Sequence, residues 1–283
     1  MQRSPSQQDF AQPRRTSSPE KGSHRGFSNS AEETMRLLET RGQIAPRGSQ
    51  ATSATTPRTG PAFVLNAGFA LAILLGPIAF VIGAVFEPAA HLPSGMENIA
   101  LNAAANPFTN GLHVAAFVAA SFLLPISVLG MARLAMARSP WLATIGGAVG
   151  LIGWVPLAAL AAQDDLTLQM ARLGASELLG TLWERFNADQ TMTLFLLTYI
   201  VGHLLAYVLL PIALHRAKVI PAWTAWLLAS SSPLTIAFFL TRQDILFLAF
   251  CVAFVIGSAR VAWAAWHNKP ATSETRPLPA RAA

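Results

Sequence analysis

The stretch TMTLFLLTYIVGHLLAYVLLPIAL, residues 191–214, decides the fold class, because its 24 residues include no Asp, Glu, Lys or Arg. An α-helix needs about 20 apolar residues to cross the hydrocarbon core of a bilayer. Five further stretches are about as long and as apolar, so the sequence predicts an all-α membrane bundle of six transmembrane helices. The predicted spans are residues 62–86, 110–133, 141–162, 191–214, 222–241 and 245–266.

The composition agrees with a membrane protein and argues against nucleic acid as a partner. Of the 283 residues, 53% are hydrophobic and 12% are charged, whereas soluble domains carry about 25% charged residues. Nine of the 20 Lys and Arg residues precede residue 60, and most of the others flank the apolar stretches. The aromatic side chains lie mostly inside those stretches, so no basic and aromatic surface for nucleic acid is predicted.

The chain divides into three parts. Residues 1–60 are polar and rich in Pro and Ser, so we predict a disordered amino-terminal tail with one short helix at 31–41. Residues 61–267 form the predicted six-helix transmembrane domain, and residues 268–283 form a second disordered tail. Translation from Met1 and translation from Met35 are both compatible with this sequence.

The charges between the predicted spans set an orientation. Arg133 and Arg138 follow the second span, and Arg216 and Lys218 follow the fourth, in both cases without an acidic residue. The connection at 163–190 instead holds five acidic residues and two basic ones. Because short basic connections stay in the cytoplasm, we predict a multi-pass protein of a bacterial inner membrane, in contact with lipid, with both termini cytoplasmic.

The first connection predicted to lie outside contains a short helix. Ser94 and Glu97 match a capping box, in which the serine oxygen accepts a hydrogen bond from an unpaired backbone N–H of the first turn. We therefore expect a helix at about 95–105, which ends before Pro107.

The second outer connection is expected to form two helices. Asp165 would cap the first of them, which stops at Gly174, and Ser176 would cap the second. Five residues of the second helix form one apolar face, which would lie flat on the membrane or close the mouth of the bundle. These residues are Leu178, Leu179, Leu182, Trp183 and Phe186.

Proline and glycine indicate where the spans bend and where they pack. Prolines inside five spans are candidate kinks: Pro77, Pro125, Pro156, Pro211 and Pro233. The third span has glycines at the spacing that lets a neighbouring helix approach closely, so we predict that it is the central packing helix. These glycines are Gly146, Gly147, Gly150 and Gly153.

One face of the fourth span carries the best candidate site. Tyr199, His203 and Tyr207 recur every four residues, so they share a helix face. An ionisable side chain within a span normally faces the bundle interior. The fifth span carries Ser230, Ser231 and Ser232 at a similar depth, and antiparallel neighbouring helices normally touch. We therefore expect His203 to form a hydrogen bond with one of these serines, in a role that is either structural or one of binding or proton handling.

No cofactor and no metal are predicted. A haem held by two histidines is not expected, because His113 and His203 differ by over about 10 Å in depth at 1.5 Å per residue. His91, His113, Glu87 and Glu97 have ligand types that suit zinc, but their spacing does not favour a site. The single cysteine, Cys251, excludes clusters held by several thiolates.

The outer ends of the second and third spans offer a second place for a pocket. His113, or the pair Asp164 and Asp165, could line a pocket there. Acidic residues are also expected at this side of the membrane from the topology alone.

The run LPIALHRAKVIPAWTAWLLA, residues 210–229, leads from a basic turn through an I-P-x-W step into the fifth span. Together with the two long outer connections, it resembles a group of bacterial six-helix membrane proteins catalogued as a domain of unknown function. The resemblance covers about residues 62–266 and implies the six-helix fold. It implies no catalytic residues.

The leading functional hypothesis is a non-catalytic membrane protein that holds a small apolar or amphiphilic ligand, or a partner helix, in an outward-opening pocket. Tyr199, His203, Tyr207 and Ser231 would line this pocket, and His113 is a further candidate. The alternatives are a small transporter and a membrane enzyme or cytochrome centred on His203. Coupled transport normally uses acidic groups inside the membrane, and the predicted spans contain none.

Overall fold

The structure, a computed structural model, describes residues 60–89 and 94–267, and the regular structure within these ranges is α-helical. The predicted helix at 31–41, the second tail and His91 lie outside the described residues, as does the amino-terminal tail up to residue 59. The helices are α1 (Pro61–Val85), α2 (Gly95–Ala104), α3 (Pro107–Ala135), α4 (Pro140–Trp154), α5 (Leu157–Leu173), α6 (Glu177–Asn187), α7 (Gln190–Arg216), α8 (Ala222–Thr241) and α9 (Asp244–His267).

Within the described residues, six helical segments are long and apolar enough to cross a membrane by length and composition. They are Phe63–Val85, Pro107–Ala135, Pro140–Leu173, Gln190–Arg216, Ala222–Thr241 and Asp244–His267. The prediction of an all-α, multi-pass membrane protein in contact with lipid is thereby confirmed. Five predicted spans match helices α1, α3, α7, α8 and α9 to within three residues at each end.

The third span consists of two helices. α4 ends at Trp154 and α5 begins at Leu157, on either side of Pro156. Proline has no backbone N–H to donate to the carbonyl one turn earlier, so the helical hydrogen bonding is interrupted there. The other candidate kinks lie inside continuous helices: Pro77, Pro125, Pro211 and Pro233.

The prediction that Asp165 caps a helix is wrong. α5 continues through Asp164 and Asp165 because no helix-breaking residue occurs before Gly174, which has a φ of 94° and ends the helix. Asp165 accepts a hydrogen bond from Nε2 of Gln169 (3.0 Å), one turn further along the same helix. The third span therefore carries carboxylates within its last turns, whereas the sequence interpretation ended that span at residue 162.

The six spans form a ring in which each packs against its neighbours. α1 packs against α3, α3 against α4, α4 against α7, α7 against α8, α8 against α9, and α9 again against α1. α3 also contacts α7. The ring encloses a central space that five of the spans line, and this arrangement positions the candidate site.

Close packing of α4 depends on its glycines, as the sequence predicts. Cβ atoms added to Gly146 and Gly150 would lie against side chains of neighbouring helices. At Gly153 the backbones themselves touch, because an added Cβ would lie 2.5 Å from the carbonyl carbon of Gly202 and from the backbone nitrogen of His203. This crossing of α4 and α7 brings the next residue, Trp154, against His203.

One end of the ring is basic. Its described charged residues are Arg133, Arg138, Arg216, Lys218 and Arg260, and the described residues of this end include no carboxylate. Contacts between helices bring these residues to the same end. Arg138 Nη1 donates to the carbonyl oxygen of Ala217 (3.3 Å), and Arg260 lies 5.6 Å from the ring centre of Trp223. We call this end the basic end.

The opposite end is acidic, and we call it the acidic end. Its described acidic residues are Glu87, Glu97, Asp164, Asp165, Glu177, Glu184, Asp189 and Asp244, and its described basic residues are Arg172, Arg185 and Arg242. α2 and α6 connect spans at this end. The two ends thus carry the opposite charges that the sequence predicts for the two sides of a membrane.

The capping predictions for α2 and α6 are confirmed. Ser94 accepts a hydrogen bond from the backbone nitrogen of Glu97 (3.3 Å), and Ser176 accepts one from that of Leu179 (3.4 Å). Capping of this kind is worth about 1 kcal/mol. Both caps therefore fix where the connecting helices of the acidic end begin.

The apolar face of α6 packs only in part. Trp183 is buried, and its Nε1–H donates to Thr167 Oγ1 on α5 (3.0 Å), beside Ile99 of α2. In contrast, Leu178 is 78% exposed and Leu182 is 52% exposed. One edge of the face anchors α6 to the bundle, and the other edge is exposed.

Candidate functional site

The central space of the ring contains a small cavity. It is lined by Phe80, Trp154, His203, Tyr207, Ser231, Ser232, Thr235, Phe250 and Phe254. The centre of a water molecule can occupy about 10 Å³ of it, which is room for roughly one water. In this conformation the cavity is far smaller than the several hundred cubic ångströms of a typical ligand pocket.

The structure brings together three of the predicted pocket residues. His203, Tyr207 and Ser231 line the cavity. Tyr199 packs on the imidazole of His203, with ring centres 4.5 Å apart, but does not itself line the cavity. The tyrosine and histidine stripe therefore faces the interior of the bundle, as the spacing of its residues predicts.

The hydrogen-bond partner of His203 differs from the expected one. Nδ1 of His203 lies 2.6 Å from the carbonyl oxygen of Tyr199, one turn earlier on α7. A carbonyl oxygen can only accept, so Nδ1 carries the proton. The serine hydroxyls donate to backbone carbonyl oxygens instead. Ser231 donates to the carbonyl oxygen of Leu228 (2.7 Å), and Ser232 donates to the carbonyl oxygen of Leu204 (3.4 Å).

Trp154 is one of the members of this site that sequence reasoning missed. Its side chain is 1% exposed, and its ring centre lies 5.2 Å from that of His203 and 6.0 Å from that of Tyr207. It occupies the position directly after Gly153, where α4 and α7 cross. A tryptophan that follows a glycine of the packing face was the available sequence signal.

His113 belongs to a different cluster, at the acidic end. Its side chain is 2% exposed. Nδ1 lies 2.7 Å from the carbonyl oxygen of Gly83 and therefore donates to it, and Nε2 lies 3.6 Å from Oδ2 of Asp164. This second distance fits an ion pair and is too long for a hydrogen bond.

The geometry of His113 requires a proton between the two helices. With Nδ1 protonated, the neutral ring would present the lone pair of Nε2 to the carboxylate of Asp164, and the two would repel. Repulsion is avoided when Nε2 is also protonated, which makes an ion pair that joins α3 to α5.

Glu87 is the third acidic or basic member of this cluster. It follows α1 and interacts electrostatically with both Asp164 and His113. The pKa of Glu87 is raised from 4.5 to about 7. Burial is the largest cause, the negative charge of Asp164 acts in the same direction, and the charge of His113 opposes the shift. Glu87, His113 and Asp164 together are called the acidic cluster below.

A chain of asparagine side chains leads towards the acidic cluster. Asn102 Nδ2 donates to Asn98 Oδ1 (2.8 Å), and Asn110 Nδ2 donates to Asn102 Oδ1 (2.9 Å). Asn110 is one turn from His113 on α3 and is 1% exposed. Sequence reasoning missed this chain, although the recurrence of asparagine at every fourth residue from 98 to 110 was a visible signal.

Aromatic rings separate the acidic cluster from the central cavity. The ring centre of Phe117 lies 4.9 Å from that of His113 and 5.4 Å from that of Phe80, which lines the cavity. The predicted pocket candidates therefore fall into two places. His113 lies in one of them, and His203, Tyr207 and Ser231 lie in the other.

No group of three or more His, Cys, Asp or Glu side chains within residues 60–89 and 94–267 could hold a metal ion. Glu97 lies on the exposed surface of α2, and His91 is outside these ranges. The one histidine and two carboxylates of the acidic cluster come from three separate parts of the chain.

Comparison with known proteins identifies no family for this chain. No family model, no curated protein and no solved structure matches it. The function must consequently be argued from the two sites themselves, and the resemblance to a bacterial six-helix group remains an expectation.

Proposed function

We propose that this is a non-catalytic, proton-responsive membrane protein, in which the acidic cluster binds and releases protons and thereby changes how its helices hold together. The single observation that carries the proposal is the geometry of His113. Its buried ring is fixed by Gly83 on one side and faces the Asp164 carboxylate on the other. The contact joins α3 to α5, so the number of protons on the cluster affects the contact between these helices.

The surroundings of His113 support this proposal. α1 is followed by Glu87, α5 contributes Asp164, and α7 contributes Tyr199, which interacts electrostatically with both carboxyl groups. α4 carries no titratable side chain, and α9 contributes Asp244 at the same end of the ring. Two carboxyl groups close to one another rarely ionise independently. The raised pKa of Glu87 brings proton exchange near neutral pH.

A proton count tests the proposal. Purified protein in lipid nanodiscs would be acidified from pH 8 to pH 6 in weak buffer, and the proton uptake would be measured with a pH dye. We expect Asp164→Asn to take up fewer protons than the unaltered chain, by up to about one per molecule. Asp165→Asn, the matched control, removes an adjacent exposed carboxylate and should match the unaltered chain. Equal uptake by all three proteins would refute the proposal.

The orientation of the protein is part of the proposal. The basic end would face the cytoplasm of a bacterium, with both termini there, because short basic connections are retained on that side. The acidic cluster would then face the exterior and meet the pH outside the cell. Support comes from the separation of the described charges into a carboxylate-free end and an acidic end.

Labelling of single cysteines tests this orientation. Glu97→Cys and Lys218→Cys would each be made in a chain whose buried Cys251 is replaced by serine, so that the introduced thiol alone reacts. A membrane-impermeant maleimide should label position 97 in intact cells and position 218 only after permeabilisation. The reverse pattern would place the acidic cluster in the cytoplasm and overturn the orientation.

A second candidate function is the binding of a small amphiphilic ligand in the central cavity. The observation that favours it is the row of hydroxyl groups on α8, Ser231, Ser232 and Thr235, which lines the same cavity as His203. Such a ligand would require the ring to open. Native mass spectrometry of gently extracted protein tests this function. A co-purifying small molecule that is lost in His203→Ala would support it, and a bare protein would count against it.

A further inference from the structure

The central cavity has a defined set of hydrogen-bonding groups, which can be counted atom by atom. His203 donates through Nδ1 to Tyr199, and no carboxylate lines the cavity to stabilise a positively charged ring, so Nε2 of the neutral ring keeps a free lone pair. Ser231, Ser232 and Thr235 all direct their hydroxyl hydrogens to backbone carbonyls, so their oxygen atoms also keep lone pairs. These four side chains can each accept a hydrogen bond from an occupant.

One further lining residue needs an acceptor. Trp154 is 1% exposed, and its Nε1 has no hydrogen-bond partner within the described part of the chain. A buried donor without a partner is destabilising, because it has lost its hydrogen bond to water. An occupant that accepts as well as donates would therefore relieve this cost.

The walls and the size of the cavity restrict the occupant further. Phe80, Phe250 and Phe254 supply apolar surface, and none of the lining residues is an acid, a lysine or an arginine. Neither a cation nor a carboxylate would find an opposite charge there, and the desolvation cost of an unpaired ion is high. The volume suits a molecule the size of water.

We propose that the central cavity is a buried hydration site, in which one water molecule donates to Nε2 of His203 and bridges it to the hydroxyl row of α8. Buried waters usually make about three hydrogen bonds to polar groups that otherwise lack partners. This water would join α7 to α8 at a point where no direct side-chain bond from His203 does so. The proposal is independent of the acidic cluster, which lies beyond Phe80 and Phe117.

Solid-state NMR on protein labelled with ¹⁵N-histidine in lipid bilayers tests the site. We expect His203 to show a protonated Nδ1 and an unprotonated Nε2 that receives magnetisation from water. Ser231→Val fills the cavity with methyl groups and should abolish this transfer. The matched control is Ser230→Val, because Ser230 precedes Ser231 on α8 and bonds to Leu227 but does not line the cavity.

The unaltered chain alone can overturn the proposal, so the test does not depend on the folding of a variant. Absence of water transfer to Nε2 of His203, or an unprotonated Nδ1, would refute it. Transfer that persists in folded Ser231→Val would place the water elsewhere and would also refute it. Transfer in the unaltered chain that survives in Ser230→Val and disappears in Ser231→Val would support it.

Discussion

His113 and His203 are both buried and both donate Nδ1–H to a backbone carbonyl, at 2.7 Å and 2.6 Å, yet their second ring nitrogens meet different surroundings. Nε2 of His113 faces the carboxylate of Asp164. His203 borders a cavity walled by hydroxyl groups and aromatic rings. The two histidines thus share burial and a backbone anchor. They differ in the group opposite Nε2, which is a carboxylate at His113 and a cavity without charged groups at His203.

The greatest loss of stability is expected from a change at the helix crossing beside His203. Gly153→Val would force side-chain atoms into the backbone of Gly202 and should cost about 3 kcal/mol or prevent folding. Thermal unfolding in detergent, followed by tryptophan fluorescence, measures the loss. Gly68→Ala is the control, because an added Cβ there has no atom within 4 Å. A Gly153→Val protein as stable as this control would show that the close helix crossing is not needed.

The next largest effect tests the other histidine. Asp164→Asn removes the charge opposite a buried ring, and we expect it to lower the free energy of unfolding by about 2 kcal/mol, between the values of an exposed and a fully buried ion pair. Asp165→Asn should change the free energy of unfolding by less than about 0.5 kcal/mol, as is usual at exposed positions. Chemical unfolding in mixed micelles measures both values. Similar losses in the two variants would contradict a special role for Asp164.

The pH dependence of stability should come from the acidic end. Since the pKa of Glu87 is raised to about 7 in the folded protein, its contribution to stability is fully present below about pH 4.5 and is lost as the pH rises through 7. The two pKa values correspond to about 2 kcal/mol between pH 5 and pH 8, so we expect the unfolding temperature to fall by about 4–8 °C over this range. Glu87→Gln should make the unfolding temperature less dependent on pH. If the pH dependence were unchanged in Glu87→Gln, groups other than Glu87 would be its cause.

The smallest effect concerns the helix that meets α3 near the acidic cluster. Ser94→Ala removes the cap of α2 and should cost about 1 kcal/mol. Because Asn102 of α2 binds Asn110 of α3, hydrogen exchange should rise in α2 and at the start of α3. Exchange around His203 should not change. An equal rise at both histidines would show that the two regions are coupled.

The sequence alone predicts the membrane spans because apolar length is a strong signal and each span must satisfy its own backbone in lipid. The glycine face of α4 and the serine caps were also predictable, since each depends on a short local pattern. The end of the third span was predicted wrongly. Asp164 and Asp165 have the composition of a connection between spans. Polar side chains alone do not end a helix, however, and α5 continues until Gly174.

The site was predictable only in part. The four-residue spacing of Tyr199, His203 and Tyr207 correctly indicated one interior face. The pairing of His113 with Asp164 depends on how α3 and α5 lie side by side, and no local pattern encodes that contact. The same reason explains why Trp154 was missed, because its position against His203 follows from the crossing of two helices.

The most direct test of the account is an infrared difference spectrum of the protein in lipid bilayers, recorded between pH 8 and pH 6. We expect a protonated carboxyl band to appear at pH 6, to be lost in Glu87→Gln and to be unchanged in His203→Gln. A spectrum without any carboxyl change in this range, or a band that depends on His203 and not on Glu87, would contradict the assignment of proton exchange to the acidic cluster.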